Sequence, residues 1–471
     1  MEKPSRTTFK IRLETMVQQL REDILSGKIA AGSYLPSEEV LGEQFQLSKK
    51  SVRKGLETLV RDNLIVKKPK IGNMVLKPNA DDDRIVIRIG YYPGIDQETD
   101  FLLLIEQFEE KYPHIHVKPM SMLFTDYPKQ AIEFMNEQLV DIVMLNYNNF
   151  RYLYNHNALH LFKAQTINDQ IYPFLTKAFT VEGKLLAQPF TFSPVILCYN
   201  KEHFKQANLQ EPDSSWTWDT FSKVAACLTN EEPSDKRLGF YFHLLSNNRW
   251  PLWLLQNGFH LQRDRGGTCY FQEDTFMKSM DIIKELHSQQ QVISSFFTDG
   301  EIDAERLFLE GKTSMLITTY FSLNNLKTIP FEYDISPVPY IGSPLTLLLN
   351  IGLAISNQSS QKEAAQLLVN FLTSKEAQEH IRNHTLSLPS IKEAAEQGLQ
   401  HNSFKPSRYQ MFREIIPSFR YYTDMGVEYR QLQIMLHYLK MYWSDMDTAP
   451  NTIKSIEQAL NADAVESNQF Q

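Results

Sequence analysis

A run of basic and hydroxyl side chains at residues 48–54 has the chemistry that phosphate binding requires. Lysine and arginine neutralise phosphate oxygens, and serine hydroxyls donate hydrogen bonds to them. Ser48 is a favourable N-cap, and the apolar residues after it recur at the spacing of one helix face: Val52, Leu56, Leu59 and Val60. The other face offers Lys49, Lys50, Ser51, Arg53 and Lys54. The pattern predicts a helix that enters the major groove of DNA.

Two helices must support this one. Residues 7–26 have apolar side chains at helical spacing and end at a Ser-Gly pair. Ser37 is the N-cap of a shorter helix, and Glu38 and Glu39 favour the positive end of its dipole. The order of long helix, short helix and basic helix is typical of a helix-turn-helix.

A basic hairpin follows the three helices. Short apolar runs at 64–66 and 74–76 predict two strands, and the connection between them carries Lys70 and a turn at Gly72 and Asn73. Such a hairpin is a wing that can touch the DNA backbone or minor groove. We therefore expect a winged helix-turn-helix that binds double-stranded DNA.

The net charge of the chain changes sign at the end of this basic N-terminal segment. Residues 1–79 hold 15 Lys and Arg against 9 Asp and Glu, a net charge of +6. The rest of the 471 residues hold 33 against 47, a net charge of −14. A basic head on an acidic body fits a head that meets phosphate and a body that does not.

Residues 7–77 resemble the GntR family of regulators. The segments that carry the resemblance are 32–38, 47–56, 64–68 and 72–73. It implies a DNA-binding domain over residues 1–77, with these contacts: Ser37, Glu38, Ser48, Lys49, Lys50, Ser51, Arg53, Lys54, Lys70, Gly72 and Asn73. Relatives usually have arginine where Glu39 and Lys49 stand, so the operator sequence of the family does not transfer.

Beyond a polar linker at residues 78–84, strand and helix patterns alternate. Apolar strands at 85–89, 115–120 and 141–145 are separated by helical segments. This alternation predicts a doubly wound α/β layout, in which ligands lie beyond the C-terminal ends of the strands.

Residues 84–462 resemble bacterial extracellular solute-binding proteins of the carbohydrate-binding kind. The resemblance is carried by segments 183–190, 195–202, 216–221, 308–315, 350–356 and 363–378. It implies a two-lobed α/β fold of the type II periplasmic-binding-protein class over 85–462, with hinge crossings near 189–195 and 336–339. Residues 463–471 are expected to form a flexible tail.

The aromatic content points to the class of ligand. The chain has 29 Phe, 21 Tyr and 5 Trp, and the apolar faces of sugar rings pack on aromatic rings while their hydroxyls bind amides. The resemblance places these ligand candidates at the cleft: Tyr92, Asn146, Tyr147, Trp250, Tyr320 and Phe321. Trp216 and Trp218 belong to a motif that starts a helix in the family, and are interpreted as structural.

Motifs for other chemistry are missing from the sequence. We find no Walker A loop, no Gly-x-Gly-x-x-Gly after a strand and no Gly-x-Ser-x-Gly elbow. The pairs His114/His116 and His156/His160 have no partner set for a metal, and no Ser-x-x-Lys context favours the pyridoxal-phosphate body found in some GntR-headed proteins. We expect no enzyme, no cofactor and no metal.

The resulting expectation is a cytoplasmic one-component transcription regulator. No signal peptide or membrane-spanning run is seen, and three scattered cysteines fit reduced thiols. We expect a homodimer on operator DNA, with a small carbohydrate effector in the body and no membrane partner. The alternative is a body that has lost its ligand and serves as a dimerisation or interaction module. A surface-exposed transporter component fits less well.

Overall fold

The computed structural model describes residues 6–25, 28–30, 32–61, 64–68, 71–76, 84–122, 126–232, 236–264, 267–288, 302–398 and 405–469. Lys70, residue 77 and residues 78–83 of the expected 78–84 linker lie outside these ranges.

The head is a winged helix-turn-helix, as the sequence predicts. Its elements are α1 (Arg6–Leu25), α2 (Glu38–Gln44), α3 (Lys49–Arg61), β1 (Ile65–Lys68) and β2 (Gly72–Val75). The two strands pair antiparallel, from Ile65 opposite Val75 to Lys68 opposite Gly72. The core is formed by one apolar stripe from each element, including Met16, Leu20, Leu41, Val52, Leu56, Leu59, Ile65 and Val75. The Ser37 hydroxyl caps α2 by accepting from the Val40 N–H at 3.3 Å.

The body begins with alternating strands and helices. They are β3 (Ile85–Tyr91), α4 (Ile95–Thr99), α5 (Phe101–Lys111), β4 (Ile115–Ser121), α6 (Tyr127–Asn136), β5 (Ile142–Asn146), α7 (Tyr147–Asn155), α8 (Pro173–Ala178), β6 (Thr180–Val181), β7 (Lys184–Leu185) and β8 (Gln188–Asn200). Strands β4, β3 and β5 are parallel neighbours. Strand β5 is buried on both faces over Ile142–Leu145, whereas burial alternates along β4 at the edge of this group.

The middle of the chain adds α9 (Lys201–Gln206), α10 (Trp218–Leu228), α11 (Pro251–Gln256), β9 (Gln262–Arg263), β10 (Cys269–Tyr270), α12 (Glu273–Ser288), α13 (Ile302–Leu309), β11 (Met315–Thr319) and β12 (Tyr333–Ser336). The last part adds β13 (Thr346–Ile355), α14 (Lys362–Leu372), α15 (Lys375–His384), β14 (Leu388–Pro389), α16 (Lys392–Glu396), α17 (Phe412–Ile415), β15 (Phe419–Arg420), α18 (Tyr429–Trp443) and α19 (Ala449–Gln469).

Strands β8 and β13 join two lobes. The sheet order across the described chain is β11-β8-β13-β5-β3-β4. The first lobe packs around β3, β4 and β5, and the second packs around β11 with helices α10–α12, α18 and α19. Every residue of β8 is buried, and its partner changes from β13 at 188–194 to β11 at 195–199. The expected crossing at 189–195 falls at this change of partner, and hinge motion there stays a prediction.

The second expected crossing differs from what we find. Residues 336–339 follow β12, which pairs with β8 at Leu197–Asn200, and the Tyr340 N–H then bonds to the Trp216 carbonyl of the second lobe at 3.1 Å. The strand that continues into the first lobe is β13, which pairs with β5. This long-range pairing cannot be read from local sequence.

The expected flexible tail from 463 is also different. Helix α19 continues through Gln469, since this segment contains no glycine or proline. Two contacts hold α19 in place near the start of this segment. The Asn461 side chain accepts from the Cys269 N–H at 2.6 Å, and Asp463 pairs with Arg430 Nε at 2.5 Å. Among the described helices, none is both long and apolar enough to span a bilayer.

Candidate DNA-binding face and interlobe groove

The outer face of α3 presents a cluster of cations. Val52, Leu56 and Leu59 are buried against the head core, so the opposite side chains are turned to solvent. Lys49, Lys50, Arg53 and Lys54 are all exposed there. Four exposed cations at the N-terminal end of such a helix can neutralise phosphate and reach base edges.

Ser48 and Ser51 bond to each other at the N-terminal cap of α3. Ser51 is 8% exposed, and its hydroxyl shares a 2.7 Å hydrogen bond with the Ser48 hydroxyl. The Ser48 hydroxyl also accepts from the Ser51 N–H at 3.3 Å. Ser51 is therefore part of the helix cap and not of the exposed face, because capping satisfies its hydroxyl inside the turn.

Two carboxylates of α2 pair with the cations of α3. Arg53 Nε donates to Glu38 Oε2 at 2.7 Å, and Lys49 Nζ donates to Glu39 Oε1 at 3.1 Å. Glu38 is an expected DNA contact, but here its carboxylate binds Arg53. Neither pair follows from the sequence, because positions separated by 10 and 15 residues meet only once the turn is folded.

The wing presents fewer groups for DNA contact than the sequence predicts. Asn73 is 8% exposed, and its backbone carbonyl accepts from the Leu35 N–H at 2.9 Å. Burial leaves little of this residue accessible to DNA. Gly72 has φ +140, a conformation that favours glycine, and lets the chain turn into β2. Lys67 and Lys68 are exposed on β1 and remain available to the DNA backbone.

A groove of about 1940 Å³ lies between the two lobes. The first lobe contributes the end of β5 and the face of α7, and the second contributes the start of α18. The residues that carry the chemistry are Asn146, Asn148, Asn149, Tyr152, Tyr429, Arg430 and Gln433. Amides and tyrosines in this arrangement can bind hydroxyl groups and pack against apolar ring faces.

Direct contacts cross between the lobes beside this groove. The guanidinium of Arg151 forms a two-point ion pair with Glu428, and both side chains are about three-quarters buried. The hydroxyls of Tyr147 and Thr423 share a 2.8 Å hydrogen bond, and the Tyr147 and Tyr421 rings lie 4.1 Å apart. Burial raises the pKa of the Tyr147 hydroxyl, so the group stays neutral here.

Some expected ligand residues adjoin the groove. Asn146 lines it, and its Oδ1 also caps α7 by accepting from the Asn149 N–H at 2.8 Å. Tyr147 lies beside it in the interlobe contact. Tyr92 and Phe321 do not line the groove. Tyr92 is 8% exposed with its hydroxyl donating to Glu98 at 3.3 Å, and Phe321 packs into the first-lobe core.

Trp250 and Tyr320 are core residues and not groove residues. Both are 0% exposed. The Trp250 indole N–H donates to Asn247 Oδ1 at 3.1 Å, and the Tyr320 hydroxyl donates to the Tyr409 carbonyl at 2.9 Å. Their polar groups are satisfied inside the second lobe, so neither meets a ligand in this conformation.

Tyr152, Tyr429 and Arg430 line the groove but are not among the ligand residues expected from the sequence. Tyr152 could have been predicted, since Asn148 and Tyr152 lie at i and i+4 on one face of α7. Nothing local marks Tyr429, because α18 reaches the groove only through the fold of the second lobe. No cluster of three His, Cys, Asp or Glu suited to a metal occurs in the described part of the chain.

The head contacts the body at the end of β4. Arg21 of α1 is 2% exposed, and its Nη1 donates to the Ser121 carbonyl at 2.6 Å. Ser121 lies opposite Tyr91 in the β3–β4 register, at the C-terminal end of β4.

Two family models match the chain. Residues 95–379 match the model described as bacterial extracellular solute-binding protein, and residues 13–75 match bacterial regulatory proteins of the gntR family. Neither description names an enzymatic activity.

Curated relatives cover each part separately. The uncharacterized HTH-type transcriptional regulator YieP of Escherichia coli is 36% identical over 61 residues, 13% of this chain and 26% of that protein. The sn-glycerol-3-phosphate-binding periplasmic protein UgpB of Brucella abortus is 25% identical over 171 residues, 34% of this chain and 37% of that protein. The chain thus spans about a quarter to a third of the length of these relatives.

Solved structures share the fold of the body. The substrate-binding protein Lmo0181 of Listeria monocytogenes, in complex with cycloalternan, has a TM-score of 0.68 and 19% identity over 81% of this chain and 99% of that one. Maltose-bound MalE3 of T. maritima has a TM-score of 0.65 and 18% identity over 80% and 99%.

Proposed function

Because the chain belongs to the bacterial extracellular solute-binding protein family and begins with a gntR-family domain, we propose that it is a sugar-responsive transcription regulator. The head binds operator DNA, and ligand in the interlobe groove changes that binding. The observation that carries the proposal is the combination in one chain of the cationic α3 face with a two-lobed body. The proposed site of action is the cytoplasm, because operator DNA is found there.

The proposed ligand is an oligosaccharide. Sugars present apolar ring faces for Tyr152 and Tyr429 and hydroxyls for Asn146 and Asn148, all of which line the groove. A volume of about 1940 Å³ exceeds what one hexose fills. The names of the similar structures, which mention cycloalternan and maltose, support the same class. Tyr147, Tyr92 and Phe321 are proposed to join the site when the lobes part.

Coupling requires that ligand bind one arrangement of the lobes better than another. The Arg151–Glu428 pair and the Tyr147–Thr423 hydrogen bond favour the closed arrangement. The Arg21–Ser121 contact links α1 to the first lobe at the end of β4. We propose that a change in the lobes moves the heads of a homodimer relative to one another, and so alters the fit to two half-sites.

A second candidate function is favoured by those same interlobe contacts. They join the lobes through side chains of the chain itself, which suits a body that serves only as a dimerisation or docking module. The two candidates differ in whether any sugar binds.

Calorimetric titration of the full chain with a panel of oligosaccharides tests the sugar proposal. We expect one sugar to bind and to raise the melting temperature. Tyr152→Ala and Tyr429→Ala should weaken that binding at least tenfold, whereas Tyr270→Ala, an exposed tyrosine outside the groove, should not. Glycerol 3-phosphate belongs in the panel because of the UgpB match. Silence across the panel would favour the docking module.

The DNA-binding part is tested separately by salt titration of operator binding. Lys50→Ala and Lys54→Ala should each weaken binding and reduce the slope of log affinity against log salt by about 1. Lys223→Ala, an exposed lysine of the body, is the control. A slope that neither head variant changes would count against phosphate contact by α3.

A further inference from the structure

The Glu39–Lys49 pair lies at the rim of the cationic face of α3. Lys49 Nζ and Glu39 Oε1 are 3.1 Å apart, and the side chains are 61% and 69% exposed. Glu39 belongs to the first turn of α2, and Lys49 is the first residue of α3. The pair therefore presents an acceptor and a donor side by side where a recognition helix meets base edges.

Stability does not explain this pair. An ion pair with both partners so exposed contributes little to folding, because solvent screens the charges. A carboxylate on this face also repels phosphate, so Glu39 weakens any binding based on charge alone. Glu38 is different, because its side chain is 23% exposed and holds the Arg53 guanidinium in place at 2.7 Å. A hydrogen-bond donor on the DNA would offset the repulsion between Glu39 and phosphate.

A C·G base pair supplies such a partner. In the major groove, cytosine N4 is a donor and guanine O6 and N7 are acceptors. N4 and O6 are separated by a Watson–Crick hydrogen bond of about 2.9 Å, close to the 3.1 Å between Glu39 and Lys49. An A·T pair also offers a donor beside an acceptor, but thymine O4 is flanked by a methyl group and gives the ammonium one acceptor in place of two.

We infer that Glu39 and Lys49 read one C·G base pair of each half-site as a unit. The Glu39 carboxylate accepts from cytosine N4, and the Lys49 ammonium donates to guanine O6 and N7 of the same pair. This inference rests on the proposed DNA-binding function and adds the base that the head selects.

Selection of duplexes from a randomised library by the full chain tests the inference. The wild-type protein should select one invariant C·G pair per half-site. Glu39→Gln should shift that position toward A, because an amide binds adenine N6 and N7. Lys49→Met should make the position degenerate. The measured preference for C·G at that position should fall about tenfold in either variant.

Glu57→Gln is the matched control, since Glu57 is an exposed glutamate later in α3. It removes the same charge and should leave the selected motif unchanged. Selection of A·T at the wild-type position, or an unchanged motif in Glu39→Gln, would overturn the inference while the proposed function stood. Failure of the wild-type chain to bind any duplex would overturn both, so the two failures are distinguishable.

Discussion

Lys405 is a lysine held among other cations. Its Nζ lies 4.8 Å from the centre of the Tyr409 ring and donates to the Arg382 carbonyl. The Arg382 guanidinium is stacked on the same ring at 4.4 Å. Burial, with the charges of Arg382 and Lys327, lowers the pKa of Lys405 to about 7. The ammonium form is therefore disfavoured in the folded chain at neutral pH.

This shift predicts a pH dependence of stability. An unfolded lysine has a pKa of about 10.4, so between pH 7 and 10 the unfolded chain binds more protons and the free energy of unfolding rises with pH. Below pH 7 the full cost of charging Lys405 is present. Lys405→Met should melt above the wild type at pH 6, and the difference should shrink toward pH 9.5.

Lys392→Met provides the comparison, because Lys392 is exposed on α16. Its melting curve should follow the wild type at every pH. A constant offset between Lys405→Met and wild type from pH 6 to 9.5 would contradict the shifted pKa.

The role of a single residue could be predicted from the sequence where it depends only on neighbours within a few positions. The Ser37 cap and the exposed cations of α3 follow from types and spacing within a few positions. Trp250 and Tyr320 could not be placed, because a tryptophan in a core and one on a ligand have the same sequence signature. The role of Ser51 could not be predicted for a related reason, since a hydroxyl near the start of a helix can serve as a cap or bind a phosphate.

At the scale of elements, one close contact fixes α10 against the strand-like segment before Tyr241. A Cβ on Gly239 would lie 1.8 Å from the carbonyl oxygen of Ala225 in α10. The obstacle is backbone, which cannot rotate away as a side chain can. Gly239→Ala should destabilise the chain by about 3 kcal/mol, measured by urea unfolding. Gly398→Ala, which meets nothing within 4 Å, should be neutral.

Elements with local signals were predictable, and those joined by distant pairing were not. The β3, β4 and β5 strands follow from apolar runs. The lobe connection through β13 depends on pairing with β5 and β8, about 160 to 210 residues earlier along the chain. Two short strands, β14 and β15, extend the sheet by two residues each and carry no period that sequence could reveal.

At the scale of the whole molecule, polar contacts join the lobes within the described part of the chain. Arg151–Glu428 and Tyr147–Thr423 lie beside the groove, and Gln97 Nε2 donates to Asn325 Oδ1 at 2.8 Å elsewhere between the lobes. None of these side chains is fully buried, so opening exchanges the contacts for water at small net cost. A closed arrangement of this kind can be shifted by a ligand of ordinary affinity.

Arg21 makes one of the contacts between the head and the body. Its guanidinium is 2% exposed and donates to the Ser121 carbonyl, and we propose that this bond transmits a displacement of β4 to α1. Arg21→Met keeps the apolar stem and removes the bond. We expect the variant to bind operator and sugar separately with near wild-type affinity, but to lose the change in operator affinity that sugar causes, typically about 5- to 150-fold in coupled systems.

Arg12→Met is the matched control for this coupling. Arg12 is also on α1, and its Nη1 donates to Gln46 within the head at 3.2 Å. Operator affinity is measured by fluorescence anisotropy with and without saturating sugar, for each variant. If Arg21→Met retains the full sugar effect, the signal does not pass through α1 and β4, and the linker between head and body must carry it instead.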